Sequence, residues 1–557
     1  MTDSGETSAT AEHTALPRGV GALLFLFALA LRLPLLPRHL LVEGDGVHYA
    51  TLARDVLAGD LSALANPYWS NLWPGAIAAV AWLTGVDVVT AGRIASLLAG
   101  CCLVPATAAL ATRTLGTSTG IVAGLLVAGH PWLIHFSSLL FTESFFAFLV
   151  VMLLLSAVRR PGVAGAAATG GWAGLGVLTR PEVQAANAAI FVSFLAAGRS
   201  KARAQAARRA LLFLMIVLGF VFFRALLVRH FGGTWDFGGT KATANLFVGL
   251  AETDREKERV STELAAGDEN ALARRAEDES PLVFALAHPS RLAGHIMRNG
   301  AALVASSLRV FPFVPLVGGR PPPWGGDWPL PLALWSIGLS AVALAGLAGS
   351  LSDGGPARLL AATGLLYAAG LAPFTVHDRL VVALVPLFLV FLASGLVRAA
   401  RRLSPTRASW HGRLAAGLVL LGLLSLAGLL GAPALDYAAD PVVQREAGEW
   451  LAARYPQDAV LMTAAPCVDF YFHDAAHSDQ EVSLPWADYP GVLEFARRQK
   501  VSVLAIPEWH LTAVQHPAAA TLLHPEACDT DLRLLTTLGS AGERMFIYEL
   551  RPWTATP

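Results

Sequence analysis

The sequence predicts a polytopic α-helical membrane protein with about 11 transmembrane helices and a small C-terminal α/β domain. Its composition supports this class, because 54% of the 557 residues are hydrophobic and only 15% are charged, and the mean hydropathy is +0.53. A helix needs about 20 apolar residues to cross a bilayer about 30 Å thick, so the chain has room for about ten or more crossings. The formal net charge of zero gives no indication of a nucleic-acid partner, and none is expected.

Three clusters of basic residues set the predicted orientation, because Lys and Arg are retained on the cytoplasmic side of a membrane. They lie at 159–160, 199–209 and 398–413. With all three inside, the N-terminus is cytoplasmic and the C-terminus lies outside. The predicted spans are 19–36, 88–112, 117–134, 142–158, 163–179, 182–198, 208–228, 329–349, 357–376, 380–397 and 413–432.

Two further apolar pieces, 71–86 and 300–318, are predicted to be re-entrant or interfacial. Both contain proline, and the second also carries Arg309. If either piece crossed the membrane, every later segment would change sides.

The polar segments divide the chain into three predicted parts. Residues 1–17 are predicted to form a disordered N-terminus, 18–435 a transmembrane domain, and 436–557 a soluble domain on the periplasmic or extracellular side. In the second part, the mixed charges of 229–299 at helical spacing favour a solvated helical lid. The external loops of the transmembrane domain are 37–87, 135–143 and 229–328.

The C-terminal segment has the pattern of a compact α/β unit. Apolar runs predict strands at 459–463, 501–506, 532–536 and 545–550, and a helix near 491–499. No glycine-rich phosphate loop accompanies them, so a nucleotide-binding role gains no support. Cys467 and Cys528 lie in this segment, and the sequence leaves open whether they form a disulfide.

The strongest candidate site lies directly after the first apolar run, in the stretch from Glu43 to Tyr49. Two carboxylates, of Glu43 and Asp45, are followed by His48 and Tyr49. Glycines flank Asp45 on both sides, and glycine permits unusual backbone angles and the close approach of a ligand. A lone external Asp is usually only solvated. The carboxylate, imidazole and phenol close to Asp45 favour a catalytic role for it instead.

Several other residues are predicted to lie at the same membrane face. Glu143 stands at the outer start of a span, where an unpaired carboxylate is costly, although a helix N-terminus also favours an acidic residue there. Arg32, Arg180 and Arg379 are candidates for binding a phosphate, with snorkelling or a local ion pair as the alternative for each. Tyr68 and Trp73 are placed at the level of the lipid headgroups, as candidate substrate-binding residues.

This layout resembles the GT-C superfold glycosyltransferases, polytopic enzymes that take a sugar from a polyprenyl-phosphate carrier. It is most similar to the bacterial branch containing protein O-mannosyltransferase-like, aminoarabinose lipid A transferase-like and rhizobial core transferase-like proteins. Many relatives carry a second acidic residue where Gly46 follows Asp45, so a partner carboxylate must be Glu43 or Glu143. The resemblance covers roughly 15–435 and rests on Glu43-Gly44-Asp45 with Tyr49, on 66–74, on 131–143, on Thr179-Arg180-Pro181-Glu182 and on Arg379 with Pro386.

The resemblance implies an inverting hexosyl- or pentosyltransferase that uses a polyprenyl-phosphate-linked sugar. In that family the first-loop Asp is the general base on the acceptor hydroxyl, a role that falls on Asp45. Arg379, Arg180 and Arg32, in that order, are then candidates for stabilising the leaving phosphate. Glu143 would orient the acceptor or a metal, and His48 would hydrogen-bond the substrate.

The residues leave metal use open, since Asp45, Glu43, Glu143 and His48 together offer suitable ligands for a divalent cation. Metal-dependent branches have a denser acidic motif, so no cofactor is expected here. The resemblance implies that the acceptor is a glycan, a lipid or a protein of the cell envelope, and that the active site faces away from the cytoplasm at the plasma membrane.

Two alternatives remain. A transporter of lipid or solute would place ionisable residues along a path near mid-membrane, whereas these cluster at one face. A non-catalytic membrane scaffold is the other alternative, and Gly46 in place of a second acidic residue keeps it open.

Overall fold

The structure, a computed structural model, describes residues 15–36, 42, 44–159, 162–196, 203–237, 289–311, 330–352, 354–374, 378–403, 439–474 and 480–551.

Helices account for nearly all of the described chain up to residue 403. Three short 3-10 turns, Leu33–Leu35, Leu61–Ala65 and Val382–Leu384, follow α1, follow α2 and join α14 to α15. The helices are α1 (Arg18–Arg32), α2 (Asp45–Ala58), α3 (Leu72–Thr84), α4 (Val88–Leu115), α5 (Thr117–Gly129), α6 (Pro131–Phe136), α7 (Glu143–Arg159), α8 (Val163–Thr179), α9 (Val183–Ala196), α10 (Arg203–Gly232), α11 (Pro289–Val310), α12 (Leu330–Ser350), α13 (Gly355–Leu371), α14 (Asp378–Val381) and α15 (Val385–Leu403).

Every predicted span within the described residues overlaps one of these helices, and the predicted span 413–432 lies outside them. Among the described helices, four segments are long and apolar enough to cross a membrane: Arg18–Leu35, Val88–Leu115, Arg203–Gly232 and Asp378–Arg402. The apolar piece near residue 71 forms α3, which has 13 residues and at 1.5 Å per residue is only about 20 Å long. Most of the predicted lid, 238–288, lies outside the described residues, and its end belongs to α11.

Helix α4 lies at the centre of the helical part and packs against α1, α3, α5 and α7. Its buried face and those of its neighbours form the largest apolar cluster of the described chain. Small residues bring helices into close contact, as between α12 and α15, where an added Cβ at Gly346 would overlap the Phe391 carbonyl oxygen. Such close backbone approach is a usual way to pack helices in a membrane.

Residues 439–551, called the α/β unit below, form a five-stranded sheet with helices. The sheet order is β2-β1-β3-β5-β4, with β1 parallel to β2 and β3, and β5 antiparallel to β3 and β4. Apolar clusters form within this unit. Its elements are α16 (Ala439–Ala452), β1 (Leu461–Thr463), α17 (Pro466–Phe472), β2 (Glu481–Ser483), α18 (Tyr489–Arg498), β3 (Val503–Pro507), α19 (Glu508–Val514), α20 (Ala519–Leu522), α21 (Pro525–Cys528), β4 (Leu532–Leu538) and β5 (Met545–Leu550).

The sequence located four of these strands and missed β2, which is only three residues long. Cys467 and Cys528 are both buried and free, so they do not form a disulfide in the structure. The α/β unit contacts the helical part through α17, which packs against α2. That contact brings the C-terminal segment next to the helix that begins at Asp45.

Candidate active site

Asp45 is the first residue of α2, and the structure pairs it with a distant arginine. Its Oδ2 lies 2.8 Å from Nη1 of Arg379, which is near the start of the α14–α15 segment. The pair is half-buried, since the Asp45 side chain is 24% exposed and that of Arg379 is 35% exposed. A carboxylate at the N-terminus of a helix is also favoured by the helix dipole. The two residues that the sequence proposed as base and phosphate ligand are therefore in direct contact.

Gly44 and Gly46, on either side of Asp45, occupy different structural environments. Gly44 caps α2 with φ of 44°, a conformation that side chains rarely adopt. Gly46 is buried, and an added Cβ there would lie 3.3 Å from Cβ of Leu140 and 3.5 Å from the Phe141 ring. A second carboxylate at position 46 would have to displace this packing. Position 46 is therefore packed against the segment between α6 and α7.

A second arginine–carboxylate pair lies deeper in the protein. Glu143 begins α7, and its Oε1 is 3.1 Å from Nη1 of Arg180, with side-chain exposures of 3% and 9%. Arg180 follows α8 directly, and its Nε also lies 3.6 Å from Oε1 of Glu182. Among the described residues, Oε2 of Glu143 and Oε2 of Glu182 are buried without a hydrogen-bond partner. The local pair of Arg180 with Glu182, an alternative left by the sequence, is therefore present together with a pair to Glu143.

Tyr49 links the two pairs electrostatically. Burial raises the pKa of the Tyr49 phenol, and the carboxylates of Asp45 and Glu143 raise it further. Arg180 and Arg379 oppose this rise. All four charged side chains therefore lie within electrostatic range of one phenol, which remains neutral at physiological pH. The structure thus brings together Asp45, Tyr49, Glu143, Arg180 and Arg379, as the sequence predicted.

An aromatic cluster adjoins Asp45. The ring of His48 stacks on Trp69 with centroids 4.4 Å apart, and Tyr68 meets the edge of Trp69 at 4.9 Å. Oδ1 of Asn66 accepts hydrogen bonds from the backbone N–H groups of Tyr68 and Trp69, which fixes this turn. Burial and the charge of Asp45 raise the pKa of Tyr68, and Arg379 lowers it, so Tyr68 also lies near the exposed pair. The sequence named His48 and Tyr68 but gave Trp69 no role.

Three predicted site residues have other positions. Arg32 is 1% exposed, and it donates hydrogen bonds to Oγ of Ser137 and to backbone carbonyls of α1 and α5. Trp73 is fully buried, with its Nε1 donating to the Leu140 carbonyl. Both side chains hydrogen-bond other parts of the helical domain, and their assignment to substrate contact stays a prediction. Glu43 lies outside the described residues.

Arg379 is positioned by α11, which the sequence did not connect with the site. Asp378 precedes Arg379, and both of its carboxylate oxygens accept hydrogen bonds from Arg309, the shortest of 2.6 Å. Asp378 thus pairs with Arg309, and Arg379 pairs with Asp45. Nearer the N-terminus of α11, Nδ2 of Asn299 donates to the carbonyls of Ala372 and Phe374, in the turn that precedes the α14–α15 segment. The sequence signal for the role of α11 in positioning Arg379 was Arg309, an arginine in an otherwise apolar stretch.

Comparison with known proteins supports the fold. The chain aligns over 95% of its length, with a TM-score of 0.58 and 12% identity, to 98% of ArnT from Cupriavidus metallidurans bound to undecaprenyl phosphate. It also aligns over 95% of its length, with a TM-score of 0.55 and 13% identity, to 74% of the oligosaccharyltransferase AglB from Archaeoglobus fulgidus in complex with an inhibitory peptide and a dolichol-phosphate. No protein-family model matches the sequence, and no curated protein matches it in sequence.

ArnT and AglB are both GT-C membrane glycosyltransferases. The chain described here has the GT-C fold and is a polytopic helical membrane protein. At 12–13% identity the likeness establishes the architecture. The chemistry has to be argued from the side chains of the site.

Proposed function

We propose that the protein is an inverting glycosyltransferase that moves a sugar from a polyprenyl-phosphate-linked donor to an acceptor hydroxyl. The observation that carries this proposal is the half-exposed contact of 2.8 Å between Asp45 and Arg379, in a fold shared with proteins seen bound to undecaprenyl phosphate and dolichol-phosphate. A carboxylate and a guanidinium side by side supply the two charges that such a transfer needs.

Asp45 is the proposed general base. The acceptor hydroxyl attacks the anomeric carbon, its proton passes to the Asp45 carboxylate, and the bond from that carbon to the phosphate oxygen breaks with inversion. A base has to lie about 2.6–3.2 Å from the hydroxyl that it activates, or act through one water. The position of Asp45 at the first residue of α2, with partial exposure, leaves its carboxylate accessible to such a hydroxyl.

Arg379 is the proposed ligand of the leaving phosphate. That phosphate gains negative charge as the bond to the sugar breaks, so a cation beside it stabilises the transition state more than the ground state. In the structure Arg379 pairs with Asp45. When a donor phosphate approaches, it competes for the guanidinium and releases the Asp45 carboxylate for proton transfer.

The buried pair of Glu143 and Arg180 is proposed to orient the substrate. Arg180 fixes Oε1 of Glu143, whose Oε2 is buried without a partner among the described residues. A buried acceptor oxygen gains from a hydrogen-bond donor, and a substrate hydroxyl can supply one. His48 and Tyr68, held by Trp69, are proposed to contact the sugar.

We propose that the reaction requires no metal ion. Asp45 is already paired with Arg379, and Glu143 with Arg180. A divalent ion on either carboxylate would have to displace its guanidinium. Transfer that persists at full rate in excess EDTA is expected, and loss of transfer that Mg²⁺ or Mn²⁺ restores would contradict this part of the proposal.

The decisive experiment measures release of polyprenyl phosphate from a glycosylated carrier by the reconstituted protein. Asp45→Asn should reduce the rate about 10²–10⁴-fold, the usual contribution of a general base, while folding and donor binding persist. Asp60→Asn is the matched control, since exposed Asp60 caps a turn through the Ser62 N–H and Asn also serves as a cap. A near-normal rate for Asp45→Asn would reject Asp45 as the base.

The sugar and the acceptor are to be identified in cells. Mass spectrometry of envelope glycans and lipids, with and without the protein, should reveal one missing sugar linkage. Movement of a solute by proteoliposomes without any release of polyprenyl phosphate would instead favour a transporter.

The site is proposed to face the periplasm or the cell exterior. Leu61 is 55% exposed in the turn after α2, so Leu61→Cys offers a label for this face. A membrane-impermeant maleimide should modify it in intact cells. Protection in intact cells with labelling after lysis would place the site on the cytoplasmic side.

A further inference from the structure

Helix α2 connects the candidate base to the α/β unit. Asp45 is its first residue, and Arg54 lies near the other end of the same 14-residue helix. Nη1 of Arg54 donates to the carbonyls of Phe470 and His473 at 3.2 and 2.9 Å, and Nη2 donates to Phe470 at 3.3 Å. We infer that the α/β unit holds Asp45 in its reactive position through Arg54, which makes Arg54 a positioning residue. The inference rests on the proposed role of Asp45.

The contact suits the chemistry of a helix end. Phe470 belongs to the last turn of α17 and His473 follows it, where backbone carbonyls lack partners within the helix and carry the negative end of its dipole. A guanidinium donates several hydrogen bonds in a fixed plane, which lets Arg54 serve both carbonyls at once. Its carbon Cζ also lies 4.0 Å from the centre of the Phe470 ring. Three kinds of contact therefore join one side chain to one end of α17.

Apolar packing reinforces the same junction. Val47, Tyr49, Ala50 and Ala53 on α2 form one buried cluster with residues of α3 and α4, and Phe470 and Cys467 of α17 complete it. The α/β unit therefore contributes side chains to the packing of the helix that carries Asp45. Without α17, this face of α2 would lose part of its cover.

The partners of Arg54 are themselves fixed within the α/β unit. His473 Nδ1 contacts the Asp469 carboxylate, and its Nε2 lies 3.0 Å from the Ala459 carbonyl oxygen, two residues before β1. Gln457 donates to the Phe472 carbonyl at 2.8 Å. A continuous series of contacts thus leads from the sheet, through α17, to Arg54.

The effect on catalysis follows from the stiffness of a helix. Arg54 holds one end of α2, and the half-exposed pair with Arg379 holds the other. When a donor phosphate competes for Arg379, the junction with α17 still restrains the direction of α2, together with the packing of α2 against α3 and α4. Misplacement of a reacting group by about 1 Å can cost about 10²-fold in rate, so loss of the restraint should appear in kcat and leave donor binding by Arg379 intact.

The test compares Arg54→Ala and Arg54→Lys with wild type in reconstituted full-length protein. We expect kcat to fall about 10- to 100-fold for Arg54→Ala, with the donor KM within about two-fold because Arg379 is untouched. Arg54→Lys should recover part of kcat, since it keeps the charge near the carbonyls but loses the planar fork. Arg533→Ala is the matched control, because Arg533 on the edge strand β4 of the same unit pairs with Glu549 on β5.

Hydrogen exchange separates positioning from general stability. Arg54→Ala should speed exchange of amides in both α2 and 466–474, while α7 and α15 stay protected. An unchanged kcat with faster exchange of α2 would overturn the inference, as would equal losses for Lys and Ala that follow the melting temperature. If Arg54→Ala fails to fold, Arg54→Lys and Phe470→Leu carry the same comparison.

The two proposals fail in different ways. Wild-type protein that transfers no sugar would overturn the proposed function and with it the catalytic meaning of the junction. Transfer by wild type that Asp45→Asn abolishes and Arg54→Ala leaves unchanged would overturn the role of Arg54 alone.

Discussion

The two arginine–carboxylate pairs of the candidate active site differ in how far water reaches them. Glu143 and Arg180 are 3% and 9% exposed, whereas Asp45 and Arg379 are 24% and 35% exposed. A buried charge that loses its partner is left uncompensated, which is costly. A pair in contact with water has much less to lose, because solvent screens both charges. The comparison indicates that the Glu143–Arg180 pair is permanent and that a substrate can displace the contact between Asp45 and Arg379.

The difference corresponds to the proposed roles. A base and a phosphate ligand have to give up their mutual contact when substrate binds, so their pair has to be weak. A residue that orients a substrate has to remain in place through the reaction, so its pair has to be strong. The chain meets the two needs by placing one pair at the start of α2 and the other at the start of α7.

The largest expected effect is on stability, from Arg180→Ala. Removal of the guanidinium leaves Glu143 buried without compensation, which should lower the free energy of unfolding by about 3–5 kcal/mol. Denaturant or thermal unfolding of the purified protein measures the loss. Arg445→Ala is the control, since Arg445 forms an exposed pair with Glu449, and such pairs contribute about 0–1 kcal/mol.

A double variant sharpens this result. Arg180→Ala combined with Glu143→Ala leaves the Glu182 carboxylate alone without its partner, where Arg180→Ala leaves both carboxylates, so the double variant should be the more stable of the two. Two changes that simply add would show that the buried pair does not act as a unit.

The second expected effect is on donor affinity, from Arg379→Ala. The donor KM should rise about 10- to 100-fold, because a charged hydrogen bond is worth about 1.5–3 kcal/mol, while the free energy of unfolding should change by about 1 kcal/mol or less. Steady-state kinetics with the lipid-linked sugar provide the measurement. Arg358→Ala serves as the control, since Arg358 is exposed and donates to the Leu351 carbonyl. Unchanged kinetics would assign Arg379 to a structural role.

The sequence was sufficient for the helices and for the charged residues of the site, for separate reasons. Apolar runs of the length needed to cross a bilayer identify helices without knowledge of their packing. Asp45 was identified by the carboxylate, imidazole and phenol close to it in sequence, and Glu143 by the cost of an unpaired carboxylate at the start of a span. Arg379 was identified as one of the arginines predicted at the same membrane face. The span count, the sidedness and the domain boundaries stay predictions.

The sequence does not show which way a side chain points, and it does not show contacts between residues that are far apart along the chain. Arg32 and Trp73 have residue types that also suit a membrane surface, and only the fold shows that both point inward. Arg54 meets carbonyls more than 400 residues later, and no local pattern marks such a contact. Backbone carbonyls are identical in every residue, so an arginine that binds them has no partner that can be read from the sequence.

The smallest expected effect concerns a third arginine–carboxylate pair, Glu508 with Arg544 in the α/β unit, whose contribution depends on pH. Hydrogen bonds from Arg544 lower the pKa of Glu508 from its usual 4.5 to about 2, and the backbone N–H groups of Gly542 and Arg544 add to the shift. Because the folded pKa lies below the unfolded one, this carboxylate stabilises the fold above pH 4.5, and that contribution is lost as the pH falls towards 2.

The variant Glu508→Gln tests the direction of this pH dependence. The variant should melt at a lower temperature than wild type at pH 7, and the two melting temperatures should converge as the pH is lowered from 5 towards 3 (about one unit above the shifted pKa). Convergence on raising the pH instead would show that the sign is wrong. Neither the rate of transfer nor the donor KM should change at pH 7, since Glu508 lies at the start of α19 in the α/β unit and the predicted chemistry belongs to α2 and α14. A pair whose loss alters stability alone would thus stand apart from Asp45 and Arg379, whose loss should alter catalysis and leave stability nearly unchanged.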